Sequence, residues 1–204
     1  MSYKNKNKRG FTLLETLIVM GVMFILAGIT IFKSFGSMQS YQANAGMDIV
    51  RSQLRVARQL AISQRRNVQV SFNTALTPPT MTYTVQAGNY AGSTEANGKA
   101  VTMPLPNQVT FTGESGESDT PMAFGTCGGS FAVCINGSST PPLIMGFNSQ
   151  GQFTDSTWVS SLNGTIFIGI PGQAATARAV TIMGGTGRVR SYSYVGGGTY
   201  QWTE

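Results

Sequence analysis

Lys8-Arg9-Gly10-Phe11-Thr12-Leu13-Leu14-Glu15 is the stretch that decides how this chain is read. Upstream, Lys4, Lys6, Lys8 and Arg9 form a basic leader with no acid, the flank that stays cytoplasmic when a hydrophobic segment inserts. Downstream, residues 11–32 are almost wholly apolar, and roughly 22 residues at about 1.5 Å each reach roughly 33 Å, a bilayer-spanning length. A cleaved secretory signal would have a shorter apolar region closed by a small-x-small site, and residues 24–35 offer no convincing one. The apolar segment is therefore expected to be retained, with the N-terminus inside.

Glu15 breaks the apolar run. A carboxylate inside a membrane span costs on the order of several kcal/mol and is by default a functional group in search of a cation; the plainer reading is a tolerated acid near the cytoplasmic end of an anchor. The string Gly10-Phe11-Thr12-Leu13-Leu14-Glu15 resembles the class III signal of type IV pilins and of the pseudopilins of type II secretion. That resemblance implies cleavage after Gly10 by prepilin peptidase and methylation of the new amino terminus at Phe11. It further implies packing of the helix into a filament with other pilins, where Glu15 neutralises the Phe11 amine of a neighbouring subunit.

Cleavage would change the charge balance. The chain has 14 Lys and Arg against 8 Asp and Glu, a formal net charge of +6. Losing the leader's four cations leaves ten against eight, about +2 before the new amine is counted, so most of the basicity is a topology signal. The chain as a whole is rich in Gly, with 25, and poor in charge, at 11%, which suits one β-rich extracytoplasmic domain beyond the apolar run. Cys127 and Cys134 are the only cysteines and would lie on the exported side, where a disulfide is chemically permitted. It would close a loop of about eight residues, worth roughly 2.5 kcal/mol by chain entropy; two separate thiols are the alternative.

No proline precedes Pro78, so nothing stops the first helix at the membrane surface. Met47, Val50, Leu54, Ala57 and Ala61 recur at three- and four-residue steps, with Ile49, Val56 and Leu60 widening the apolar arc, and predict a helix over residues 12–66. Gly36 and Gly46 are its expected soft points. Alternation predicts strands at 67–73 and 81–85 around a Pro78-Pro79 turn, then at 109–112, 130–135, 143–147, 164–170, 177–183 and 188–194. Residues 148–151 read as a turn, and Pro171-Gly172 and Gly184-Gly185 separate the last three strands.

The expected fold class is α+β: the pilin fold that the resemblance implies, with a long N-terminal helix, transmembrane in its first half, packed on an antiparallel β-sheet domain. Residues 1–10 are the leader, 11–33 the transmembrane and filament-core helix, 34–66 its amphipathic continuation, and 67–204 the β-rich globular domain. Within the superfamily, residues 54–72 and Gly187-Arg188-Val189-Arg190 resemble the minor-pilin group GspH/FimT. Phe32 stands where many major pilins carry a helix-loosening proline. The implied location is the inner membrane, single-pass, with the C-terminal domain periplasmic, and then the pilus or pseudopilus.

Enzyme chemistry is not visible. With no histidine, Ser-His-Asp and Cys-His arrangements are excluded, and the seven acids after Glu15 form no acid-base pair motif. Glu114, Glu117 and Asp119 lack calcium-loop spacing, the glycine pairs lack phosphate-loop spacing, and no metal or cofactor is implied. The remaining chemistry is basic. Arg51, Arg55 and Arg58 share a helix stripe, Arg65 and Arg66 come after them, and Arg178, Arg188 and Arg190 fall in the last strands. With Tyr192, Tyr194, Tyr200 and Trp202 near for stacking, Arg178, Arg188, Arg190, Arg65 and Arg66 are candidate DNA contacts; the alternative is a solvated helix face and a charge-protected edge strand. FimT-like pilins are associated with DNA uptake through a basic G-R-x-R motif. GspH-type pseudopilins, which act in protein export with no DNA role, share the architecture, so both readings stand.

Overall fold

The structure, a computed structural model, describes residues 12–88, 96–113, 121, 124, 127, 132–138, 144–195 and 202–204, with backbone alone for 30–37. Gly10, Phe11, Tyr200 and the acids Glu95, Glu114, Glu117 and Asp119 lie outside the described residues. Packing divides the chain into two units, Met1–Met38 and Gln39–Glu204. The one α-helix among the described residues, α1, spans Leu13–Gln64 and has residues in both.

Within the second unit, Ala43, Val50, Leu54, Ala57 and Ala61 are fully buried along one face of α1, and Met47 packs beside them. Their steps of three and four residues are those of a helix stripe, and burying one side chain of the size of Leu54 contributes about 1.5–3 kcal/mol. Val56 departs from the expected arc: it is 42% exposed, because its position turns it away from the stripe, whereas Leu60 packs against the core. Gly46 is a contact, not a soft point. The helix is unbroken there, and a Cβ would come within 2.9 Å of Val109 Cγ1 and 3.4 Å of Ile168 Cγ2, so glycine is what lets the helix approach the sheet.

The helix ends where expected, by a specific device. Arg65 adopts φ 51°, the Arg65 N–H donates to Ile62 O at 3.3 Å, and the Arg66 N–H donates to Ala61 O at 3.2 Å. This is a Schellman closure with arginine in the left-handed position that glycine normally fills. The chain then enters the sheets directly.

Among the described residues ten strands come after it: β1 (Val68–Asn73), β2 (Thr80–Val85), β3 (Val101–Pro104), β4 (Val133–Ile135), β5 (Met145–Phe147), β6 (Phe153–Asp155), β7 (Gly164–Ile168), β8 (Arg178–Met183), β9 (Arg188–Tyr194) and β10 (Trp202–Thr203). They form two antiparallel sheets rather than one, ordered β3-β2-β1-β5-β6 and β10-β9-β8-β7-β4. Both sheets and the helix share one core: Val68, Val70, Met81 and Phe147 from the first sheet meet Ile166, Ile168, Val180 and Ile182 from the second. The other face of the second sheet carries Cys134, Phe167, Ala179 and Tyr192 as a smaller cluster, with Cys127 and Trp202 against it.

Five expected strands are present, with ends differing by one or two residues, and short cores of two more survive as β4 and β5. Residues 109–112 differ: Thr110 makes only an isolated bridge to Gly169, and Val109 and Phe111 instead plug the core. β3, β6 and β10 were not expected. β3 is exposed along its whole length and ends in proline, β6 has three residues and β10 two, so none offers enough alternation to read.

Candidate functional site

Glu15 lies in the first turn of α1, where Thr12 caps the helix: the Glu15 N–H donates to Thr12 O at 3.0 Å and to Thr12 Oγ1 at 3.3 Å. Thr-x-x-Glu is the capping-box spacing, and a carboxylate here also faces the positive end of the helix dipole. The surrounding surface is apolar on every side. Leu13 is 83% exposed and Phe24 76%, and each large apolar side chain from Leu13 to Ile29 is exposed. No helix among the described residues is long and apolar enough to cross a membrane. The run expected to do so continues into residues 30–33, whose side chains lie outside the described set.

The basic residues divide into separate environments. Arg178 is buried: its Nε donates to Asn44 Oδ1 at 2.7 Å, Nη2 to Ser40 Oγ at 3.0 Å, and Nη1 to the carbonyls of Ala177 and Ala175 at 2.8 and 3.1 Å. Burial lowers its pKa from the usual arginine value, and these oxygens hold the charge. The reason is register: Arg178 shares the inward parity of Val180 and Ile182, so it clamps β8 to the helix and does not face a ligand. Arg66 is also committed, donating to Gln86 O at 2.7 Å and Ala96 O at 2.9 Å. Arg65 is exposed at the helix end, and neither Arg65 nor Arg66 borders the groove that Arg188 lines.

Arg188 does meet other cations. It is exposed and, with Arg55 and Arg58 of α1, lines a groove of about 590 Å³ completed by Gln59, Met183 and the turn at Thr186-Gly187. Arg55 Nη2 donates to Val189 O at 3.3 Å and Arg58 Nε to Gly151 O at 3.1 Å, which fixes both stems while leaving donors on each guanidinium. Gly187 makes this approach possible: it sits at φ 63°, and a Cβ would overlap Gly151 O and crowd Arg58 Nε at 2.8 Å. Val189 turns into the core, so Arg188 and Arg190 alternate outward from it.

Arg190 makes an ion pair with Glu204 at 3.1 Å. Its pKa is raised, first by side-chain hydrogen bonding with Tyr192 and then by the Glu204 charge. Tyr192 is buried, and Tyr194 stacks edge-on against Trp202 with centroids 5.6 Å apart, so these aromatics are committed to the sheet. The sequence signal for the groove was the i, i+3 pair Arg55–Arg58; what the sequence did not reveal was that Arg188, rather than Arg65 or Arg66, would join it. Cys127 and Cys134 form a disulfide with Cα atoms 6.0 Å apart, which holds Cys127 against the smaller cluster. Among the described residues no group of three or more His, Cys, Asp or Glu is placed to hold a metal.

Comparison with known proteins places a recognised motif at the N-terminus: residues 5–31 match the family model described as the prokaryotic N-terminal methylation motif. No curated protein sequence matches the chain significantly. Among solved structures, the type IV minor pilin FimU of Pseudomonas aeruginosa is similar at 14% identity over 74% of this chain and 87% of that one, with a TM-score of 0.43, too distant a likeness to bear on function. The matched residues run into the start of α1, and the long helix is followed by an antiparallel β domain, the order of elements that the resemblance to type IV pilins implies.

Proposed function

We propose that the chain is a minor pilin or pseudopilin that is inserted in the inner membrane, cleaved by prepilin peptidase between Gly10 and Phe11, methylated at Phe11 and built into a filament. The observation that carries this is the helix surface from Leu13 to Ile29. Its large apolar side chains are exposed all round, and each contributes about 1.5–3 kcal/mol when withdrawn from water. Lipid before assembly and neighbouring helices afterwards are the two surroundings that supply that burial. Glu15, the one charge in that surface, is the contact for a neighbour's new amine. The test is Glu15→Ala, tracked through processing and through filament recovery. Cleavage is expected to proceed while incorporation falls at least about tenfold, the ratio set by about 1.4 kcal/mol. Normal incorporation would remove Glu15 from assembly.

A second reading, DNA binding by the displayed domain, is favoured by the groove in which Arg55, Arg58 and Arg188 converge. Phosphate contacts release counterions, so binding would weaken steeply with salt, and removing one arginine–phosphate pair should lower the slope of log K against log salt by about 0.9. Arg188→Ala combined with Arg190→Ala should therefore flatten that dependence in a gel shift on the full chain. An unchanged slope, or no binding, would favour the type II secretion pseudopilin, which has no DNA role.

A further inference from the structure

A different groove, of about 510 Å³, lies at the turn between β5 and β6 and carries no formal charge on its walls. It is lined by Asn67, Asn148, Ser149, Gln150, Thr157 and Trp158, among others. We propose that it binds a neutral, hydroxyl-rich ligand, a short oligosaccharide segment, with the Trp158 indole as the stacking surface and the Asn67 and Gln150 amides as the polar contacts.

Asn67 supplies the first observation. The residue is only 3% exposed and borders the groove, and its side-chain amide makes no hydrogen bond within the protein while keeping contact with solvent. The backbone carbonyl of Asn67 is satisfied by the Gln86 N–H at 2.8 Å, which leaves the carboxamide as the group that can bond a ligand. An amide that reaches the groove with no partner inside the protein is available to a ligand there. An amide donates and accepts side by side, the pattern that adjacent sugar hydroxyls present in return.

Trp158 supplies the second observation, independently. Its φ is 60°, a left-handed conformation that a bulky residue adopts at a cost and glycine adopts freely. The conformation is held by the Trp158 N–H donating to Asp155 O at 3.1 Å and by Asn148 Nδ2 donating to Trp158 O at 3.4 Å. Asn148 is itself fixed, because its Oδ1 accepts from the Gln150 and Gln152 N–H groups at 3.1 and 3.0 Å. The turn therefore keeps a large aromatic where its backbone would accept glycine more readily. An indole beside amides and hydroxyls, with no charge, matches the apolar C–H face and polar rim of a pyranose. A phosphate-bearing ligand would find no cation here.

The test is titration calorimetry on the full chain in a zwitterionic detergent without a sugar head group. The probes are cellotetraose and chitotetraose, with a blocked tetra-alanine peptide as the contrast. Saturable binding of at least one tetrasaccharide is expected. Trp158→Gly should weaken it about tenfold or more, a loss of about 1.4 kcal/mol, while melting no lower than the parent because the backbone cost is removed. Asn67→Ala should weaken it as well without lowering the melting temperature, since no internal side-chain hydrogen bond is removed. The proposal is overturned if neither sugar binds, if the Trp158→Gly chain binds as tightly as the parent, or if only the peptide binds.

Discussion

At the scale of single residues, the string Gly187-Arg188-Val189-Arg190 shows how one motif divides into separate roles. Gly187 is demanded by backbone geometry, Val189 by the core, Arg188 faces the groove, and Arg190 is paired with Glu204. Gly187→Ala should therefore destabilise the fold by about 2–4 kcal/mol, combining left-handed strain with overlap on Gly151 O. Arg188→Ala, at an exposed position, should change stability by less than about 0.5 kcal/mol; urea melts of the two variants check the contrast. The sequence made the basic character of this string legible. It could not show that Arg178, ten residues before Arg188, points the other way, because a strand's facing depends on register against neighbours that are distant in sequence.

At the scale of elements, α1 was the most legible because its periodicity extends over many turns, and a long amphipathic pattern averages out individual exceptions such as Val56. Its closing turn was legible only in position. Nothing in Gln64-Arg65-Arg66 announces a left-handed residue, since the usual glycine is missing. Arg65→Gly should consequently stabilise the protein by about 0.5–1 kcal/mol, read as a higher denaturation midpoint with an unchanged slope. A midpoint that falls would mean that the exposed guanidinium contributes more than its backbone costs. The strands that the sequence does not announce are those with the least pattern: β3 lies at a sheet edge, while β6 and β10 are too short to alternate. Residues 109–112 differ from the expected strand for the opposite reason. Val109 and Phe111 alternate like a strand, but the space they fill is the core beside Gly46, not a ladder.

At the scale of the whole molecule, the two units have different needs. The second, Gln39–Glu204, contains every buried core residue among those described, beginning at Ala43, and draws on both sheets as well as on α1. A chain starting at Gln39 should therefore melt in one cooperative transition within a few degrees of the full chain, a shift corresponding to about 1 kcal/mol or less. Scanning calorimetry of the two would show it, and loss of cooperativity would mean that the first unit takes part in the core. The antiparallel β character was foreseeable from composition and turn spacing. The split into two sheets was not, because it depends on which of the short strands pair, and β5 joins β1 across more than seventy intervening residues.

The Arg178 clamp has a mechanical consequence. Ser40 and Asn44, which it grips, are among the first helical residues of the second unit, just beyond Met38. Tension arriving along the helix would reach that clamp before the stripe that begins in earnest at Val50. Its bonds to Ser40 and Asn44 would be strained together, in shear, instead of parting one after another like a zip, while those to the Ala175 and Ala177 carbonyls keep the guanidinium fixed on the sheet side. The β domain is thus anchored at the point where a pull on the helix first enters it, by a group that carries no ligand.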